Sequence, residues 1–354
     1  MIKESCKGTC TSESQLRGHA KEISRWDFLE LAGMGLVGAA LLGMPAPAGA
    51  QTQDTIALGA WNQGVPWDLA KLDVYTSAVG VAPQVVLWYQ SWGPPSDGAF
   101  GPSLAQALHE RGHTQVLTWE PKDWRYGTKQ SNYSLRAIAA GKHDNYIRDY
   151  ARRVKDWGQP LYIRLMHEMN GNWYPWGANA NGNKPSQFKS VWTRVVDIFD
   201  REGASNVKWV WCPNVSRPVW NAPYPMNSFY PGGDYVDWIG LDGYNYAGSR
   251  SMPWFSFREV FGSSYDEVTK LAPTKPLMLA ETASDESGGD KVSWISTIKD
   301  DLQSRFSKVS AVMWFNQDEG SSKLTINSPD TSDKVLEAYK SLASDPYLQG
   351  TLPR

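Results

Sequence analysis

Cysteine is nearly absent from this chain. Three occur in 354 residues, and two of them, Cys6 and Cys10, fall in the first fifty. With that leader removed, Cys212 stands alone, which excludes an internal disulfide and a cysteine-built zinc site. Charge of one sign is also lacking: 35 Lys and Arg oppose 37 Asp and Glu, for a net charge of −2. Such a balance offers no pull toward nucleic acid or an anionic membrane. No apolar run reaches the ~20 residues that span a bilayer. Beyond residue 55 no GxGxxG or Walker-type loop provides a nucleotide cradle. His109, His113 and His143 lack metal-ligand spacing, so no catalytic metal is expected.

Tryptophan, by contrast, is abundant, with 18 residues. A core rarely needs so many, because a buried indole needs a partner for its N–H. Stacking on flat apolar faces is the other common use, and sugar rings offer such faces. The first fifty residues differ from the rest. Lys- and Arg-bearing polar sequence runs to SRWDFLELAG, then LAGMGLVGAALLGM (31–44) is apolar, and PAPAGA ends in small residues. This is the layout of an export signal cleaved near Ala48-Gly49-Ala50. SRWDFL resembles a twin-arginine signal with Trp26 where the second arginine belongs. The expectation is a signal segment over 1–50, one domain over 51–350, and a secreted or periplasmic mature protein.

Beyond residue 55 apolar runs alternate with helical patterns. The expected strands are IALGAWN (56–62), VAPQVVLWY (81–89), QVLTWEP (115–121), LYIRLMHE (161–168), VKWVWCP (207–213), VDWIGLDGY (236–244), PLMLAET (276–282) and SAVMWFNQD (310–318). Near-continuous apolarity suits parallel strands covered on both faces. Helical patterns lie between them. SLAQALHERG (103–112) ends at a glycine, and DNYIRDYARRVKDWG (144–158) opens on an Asp N-cap and closes on a glycine. Phe188, Trp192, Val195, Val196 and Phe199 mark one helical face, and 290–306 and 332–343 behave alike. Eight strands alternating with helices predict an α/β fold, a (β/α)8 TIM barrel, with a doubly wound open sheet as the alternative.

Each strand ends in polar or aromatic residues, including Trp88-Tyr89-Gln90, Trp119-Glu120, Asn214 and Asn316-Gln317. In a barrel these ends converge on one face, where active sites lie. Glu168 closes the fourth strand and Glu281 the seventh, and the two are expected to face each other across the barrel. Cleaving a glycosidic bond needs two carboxyls in different states: one protonated to serve the leaving oxygen, one ionised to attack or to activate water.

HEMNGNWYPWG (167–177) packs a histidine, a glutamate, two asparagines and three large aromatics into one short segment. Together RLMHEMNGNWYPWG, WVWCPN, VDWIGLDGYN, LMLAET and VMWFNQD resemble the motif set of glycoside hydrolase family 26, over most of residues 56–330. The resemblance implies retaining (β/α)8 endo-hydrolases, best known as β-mannanases. It implies Glu168 as acid/base and Glu281 as nucleophile, and it explains His167 where the wider clan has asparagine. It also implies that Trp173 lines the cleft by the cleaved bond.

Further sugar-site expectations follow from what a retaining site needs. His167 bonds the nucleophile or a hydroxyl near it. Asn170 orients Glu168 or caps its loop. Trp176 packs, or joins the site. Asp242 and Tyr244 face the nucleophile, and the Tyr244 hydroxyl holds Glu281 ionised. Trp314 floors the sugar at the cleavage point. Glu120 binds sugar or is structural, and Arg164 points into the barrel or at Glu281. Cys212 is read as a buried spectator thiol. The expected activity is an exported endo-β-glycanase without cofactor, acting as a monomer on a polysaccharide. β-1,4-Mannan comes first, then mixed-linkage β-1,3-1,4-glucan or β-1,3-xylan. The preference is expected to lie in loops 90–102, 122–142 and 214–232. A non-catalytic carbohydrate-binding barrel is the alternative of a different class, and an intracellular scaffold conflicts with the leader and the polar strand ends.

Overall fold

The computed structural model describes residues 55–353 apart from 94–97, 179, 217–223, 249 and 251. The expected signal segment lies outside the described residues, as do parts of two of the three loops named for substrate preference. Eight parallel strands close a barrel in chain order: β1 (Ala57–Asn62), β2 (Val85–Ser91), β3 (Thr114–Glu120), β4 (Leu161–Leu165), β5 (Val207–Trp211), β6 (Trp238–Asn245), β7 (Leu277–Ser284) and β8 (Val309–Asn316). β8 returns to β1 in unbroken register, from Ala57 opposite Ala311 to Asn62 opposite Asn316. The chain is therefore a (β/α)8 barrel and not an open sheet.

Two apolar clusters hold it. One fills the barrel itself, with Val85, Leu87, Val116, Tyr162, Trp238, Met278 and Met313 among its members. The larger lies between strands and helices. Helix Pro185–Glu202 shows how: Phe188, Val191, Trp192, Val195, Val196 and Phe199 are buried, one stripe at three- and four-residue steps, and Gly203 ends it at φ 76°. Some details depart from the sequence expectation. Asp144 is the first residue of its helix rather than the cap, which is His143, and the Asp144 carboxylate pairs instead with Arg194 at 2.6 Å. The helix expected over 290–306 is two short ones, Lys291–Ser296 and Ile298–Ser304. β5 and β6 separate β4 from β7, so the two glutamate-bearing strands are not diametrically opposed.

Candidate active site

Strand alternation decides what enters the barrel. Leu87 and Tyr89 on β2, Val116, Thr118 and Glu120 on β3, Tyr162 and Arg164 on β4, and Trp238 and Asp242 on β6 share the inward parity. The lower positions are apolar members of the inner cluster. The higher ones form a polar layer around Arg164, which is fully buried. Its guanidinium donates to Thr118 Oγ1 (2.9 and 2.6 Å), to Asp242 Oδ2 (2.6 Å) and to Glu281 Oε1. The Cys212 thiol donates to the other Asp242 oxygen at 3.2 Å. Burial pushes the thiol up and raises the Asp242 carboxyl, with Arg164 opposing the latter.

Glu281 reaches this layer through a β-bulge. Leu241 pairs with Leu279, but Asp242 pairs with Glu281, so Ala280 is an extra residue on β7. Met278 and Ala280 both belong to the inner cluster, and simple alternation would turn Glu281 outward. The bulge re-aims it into the cleft. There its carboxylate accepts from Arg164 and the Tyr89 hydroxyl on one oxygen and from the Tyr244 hydroxyl on the other. Burial, then the charge on Glu281, raises both tyrosines well above the ordinary phenol range, so both stay donors.

Glu168 lies beyond β4, not at its end. The strand stops at Leu165, and Met166 and Glu168 take left-handed φ values of 46° and 52°. Non-glycine residues rarely adopt this conformation, which costs roughly 1–3 kcal/mol per residue and clusters at functional sites. The Glu168 N–H donates to the Cys212 carbonyl at 2.8 Å, tying the turn to β5. Its carboxyl accepts from the Asn214 amide and, at 2.6 Å, from the Trp173 indole N–H. Asn170 clamps Asn214 from both sides, donating to its carbonyl at 2.7 Å and accepting its N–H at 2.9 Å. Burial and then the charge on Glu281 raise the Glu168 carboxyl to about 7, against the two donors and Arg164.

The cleft holds about 550 Å³, and its walls include Trp61, Tyr89, Glu120, Lys122, Glu168, Trp173, Tyr174, Asn214, Tyr244, Glu281 and Phe315. Glu168, Glu281, Trp173, Tyr244 and Glu120 thus all line one cleft, with Glu120 paired to Lys122 at 2.7 Å. Other expectations need correction. Trp314 is no sugar floor. It is buried against Trp294 and Tyr339, and its N–H donates to the Leu324 carbonyl at 3.1 Å. Its neighbour Phe315 has the inward parity and stacks on Trp61 at 4.4 Å. Asp242 lies beneath the cleft and serves Arg164. Trp176 packs, stacked on Tyr174 at 4.6 Å and donating to the His167 carbonyl. Asn170 acts on Asn214, not on Glu168.

His167 is buried and off the cleft wall, and its Nε2 pairs with the Tyr174 hydroxyl at 3.0 Å rather than with Glu281. Burial, Arg164 and Lys122 push it well below the usual histidine range, so the ring is neutral. Its ligand atom and those of Asp242 and Glu281 lie within 4.8 Å of one another. The Arg164 guanidinium already binds both carboxylates, which supplies the positive charge a metal would bring. Tyr89, Asn214, Tyr174, Trp61 and Phe315 line the cleft as well, beyond the residues expected there from the sequence. Their strand-end positions were the available signal for all but Tyr174, which sits in the aromatic segment 167–177.

A family model described as glycosyl hydrolase family 26 matches residues 131–311, a stretch that includes both glutamates. This chain belongs to glycosyl hydrolase family 26. The chain is 31% identical over 298 residues to Endoglucanase H of Acetivibrio thermocellus, covering 82% of this chain and 31% of that protein. It is 28% identical over 161 residues to a mannan endo-1,4-β-mannosidase of Bacillus subtilis, covering 43% and 39%. The chain thus spans less than half the length of either relative. The fold is similar to the catalytic domain of a family 26 endo-β-1,4-mannanase of Bacillus sp. JAMB-750, with TM-score 0.64 at 17% identity, over 84% of this chain and 87% of that one.

Proposed function

We propose that this chain is an exported, retaining endo-β-glycanase that works by double displacement. One observation carries the reading: two buried carboxyls share a cleft in opposite surroundings. Glu281 is held by a guanidinium and two hydroxyls, a setting for an anion that attacks. Glu168 accepts from two neutral donors and is raised to about 7, so near neutral pH much of it carries the proton a leaving group needs. Glu281 attacks the anomeric carbon while Glu168 gives its proton to the departing glycosidic oxygen. A covalent glycosyl-enzyme forms. Glu168, now a carboxylate, takes a proton from water, which attacks the anomeric carbon and frees Glu281. Arg164 and both tyrosines hold the attacking oxygens in place, and no step calls for a cofactor.

β-1,4-Mannan remains the first substrate reading, from the family resemblance. A mixed-linkage β-glucan is the second, and one observation favours it: the alignment to Endoglucanase H runs over 82% of the chain, that to the Bacillus mannosidase over 43%. Export rests on the leader sequence alone, and a monomer is the proposed state. The test is product release from glucomannan, carob galactomannan, barley β-glucan, lichenan and β-1,3-xylan, beside a Glu168→Gln variant. Short oligosaccharides from galactomannan with a dead variant support the mannanase. Cleavage of the mixed-linkage glucans alone keeps the mechanism and moves the substrate. A polymer bound but never cut sinks the enzyme reading and leaves the binding barrel.

A further inference from the structure

We propose that Trp124 and Tyr126, on the loop after β3, form a platform on which sugar rings of a polysaccharide chain stack where it leaves the cleft. The inference rests on the carbohydrate reading above and extends it to a second contact area. Trp124 is 59% exposed and Tyr126 64%, whereas Trp88, Trp119, Trp176, Trp192 and Trp209 are fully buried. Rings left in water add nothing to the core, yet the loop that carries them is tightly built. Gln130 is buried and accepts the Asp123 N–H at 2.8 Å. Its amide donates to the carbonyls of Asp123, Tyr126 and Gly127 at 3.0, 3.2 and 2.8 Å. Asp123 is buried and grips Arg125 with both oxygens, at 3.0 and 2.7 Å. The Asn181 amide, from the loop after β4, donates to the Thr128 carbonyl at 2.8 Å.

A loop backbone held this way has little freedom left to lose when a ligand arrives, so more of the contact energy appears as affinity. The loop that carries the rings starts at the cleft wall. Lys122, two residues before Trp124, lines the cleft and sits over the Tyr174 ring at 4.8 Å. Trp173, on the neighbouring loop, is the cleft aromatic that is itself 39% exposed. The two cations beside the rings are already paired, Lys122 with Glu120 and Arg125 with Asp123. An uncharged polymer with flat apolar ring faces therefore fits the platform better than an acidic partner.

The test compares Trp124→Ala, Tyr126→Ala and the double variant with the parent chain, on galactomannan, on barley β-glucan and on the shortest oligosaccharide that is cleaved. Losing an aromatic anchor typically costs a factor of about ten. We expect KM for the polymer to rise roughly tenfold in the double variant, with kcat unchanged and the short oligosaccharide unaffected. Trp124→Phe should retain most of the polymer affinity. Unchanged polymer kinetics overturn the platform, and so does a parallel loss on polymer and oligosaccharide. If the parent cleaves nothing, the hydrolase reading has failed separately. Retardation in gels containing each polymer then decides: retardation lost in the double variant sustains the platform, and equal retardation overturns it.

Discussion

Glu168 and Glu281 open on one cleft, yet the protein surrounds them differently. Around Glu281 stand Arg164, Tyr89 and Tyr244, a cation and two hydroxyls aimed at both oxygens. Around Glu168 stand an amide and an indole, both neutral donors. Arg164 does not simply serve Glu281, because it also neutralises Asp242 beneath it. The polar layer fixes one cation between two carboxylates and leaves the third carboxyl, Glu168, to respond to burial and to the charge of Glu281. The same residue type thus acquires two proposed roles from its neighbours, the rule for paired carboxyls.

The contrast between the two carboxyls depends most on Glu281. Glu281→Ala should lower kcat by about 10⁴-fold or more, as removal of a nucleophile does, with azide restoring part of it. Removing that negative charge should also lower the Glu168 pKa, seen as an alkaline limb at lower pH in the azide-rescued reaction. Glu168→Gln should cost roughly 10²–10⁴-fold, the span of general acid catalysis. Aryl glycosides with good leaving groups should suffer least, and an equal loss on all of them would refute the acid assignment. Arg164→Met leaves Asp242 and Glu281 buried without their cation and should cost about 3–5 kcal/mol in urea unfolding. Retained stability would mean the triad is not the anchor described.

The finest test concerns pH. Glu168 must be protonated for the first step and is raised to about 7, so kcat/KM should fall as pH rises through that value. Asn214 and Trp173 oppose the upward shift by favouring the charged form. Asn214→Ala and Trp173→Phe should therefore move the alkaline limb to higher pH, with a smaller loss of rate. A downward movement in either would contradict the hydrogen bonds described.

Much of this was legible beforehand. All eight strands sit where apolar runs pointed, because parallel strands covered on both faces need continuous apolar sequence. The glutamates stood out because a carboxyl directly after such a run has little structural reason to be there. Side-chain orientation is less legible. Trp314 and Phe315 are adjacent, and composition favours tryptophan as the sugar platform, but the β8 parity sends Trp314 to the helices and Phe315 to the cleft. Asp242 looked like a site residue because it neighbours Tyr244 in sequence, yet it lies one inward layer lower.

The sequence by itself determined the element order, the barrel, the family and the two carboxyls, since local apolar patterning and short motifs are properties of the chain. The tertiary structure alone decided how those carboxyls differ. The extra residue Ala280 turns Glu281 inward, and the left-handed turn at Met166 and Glu168 lifts the other carboxyl over the cleft. Arg164, 117 positions from Glu281, becomes its partner only when the barrel closes. A strand's register and the charges that meet across it depend on residues far apart in the chain. The ionisation of Glu168 follows from that meeting, so no local stretch encodes it.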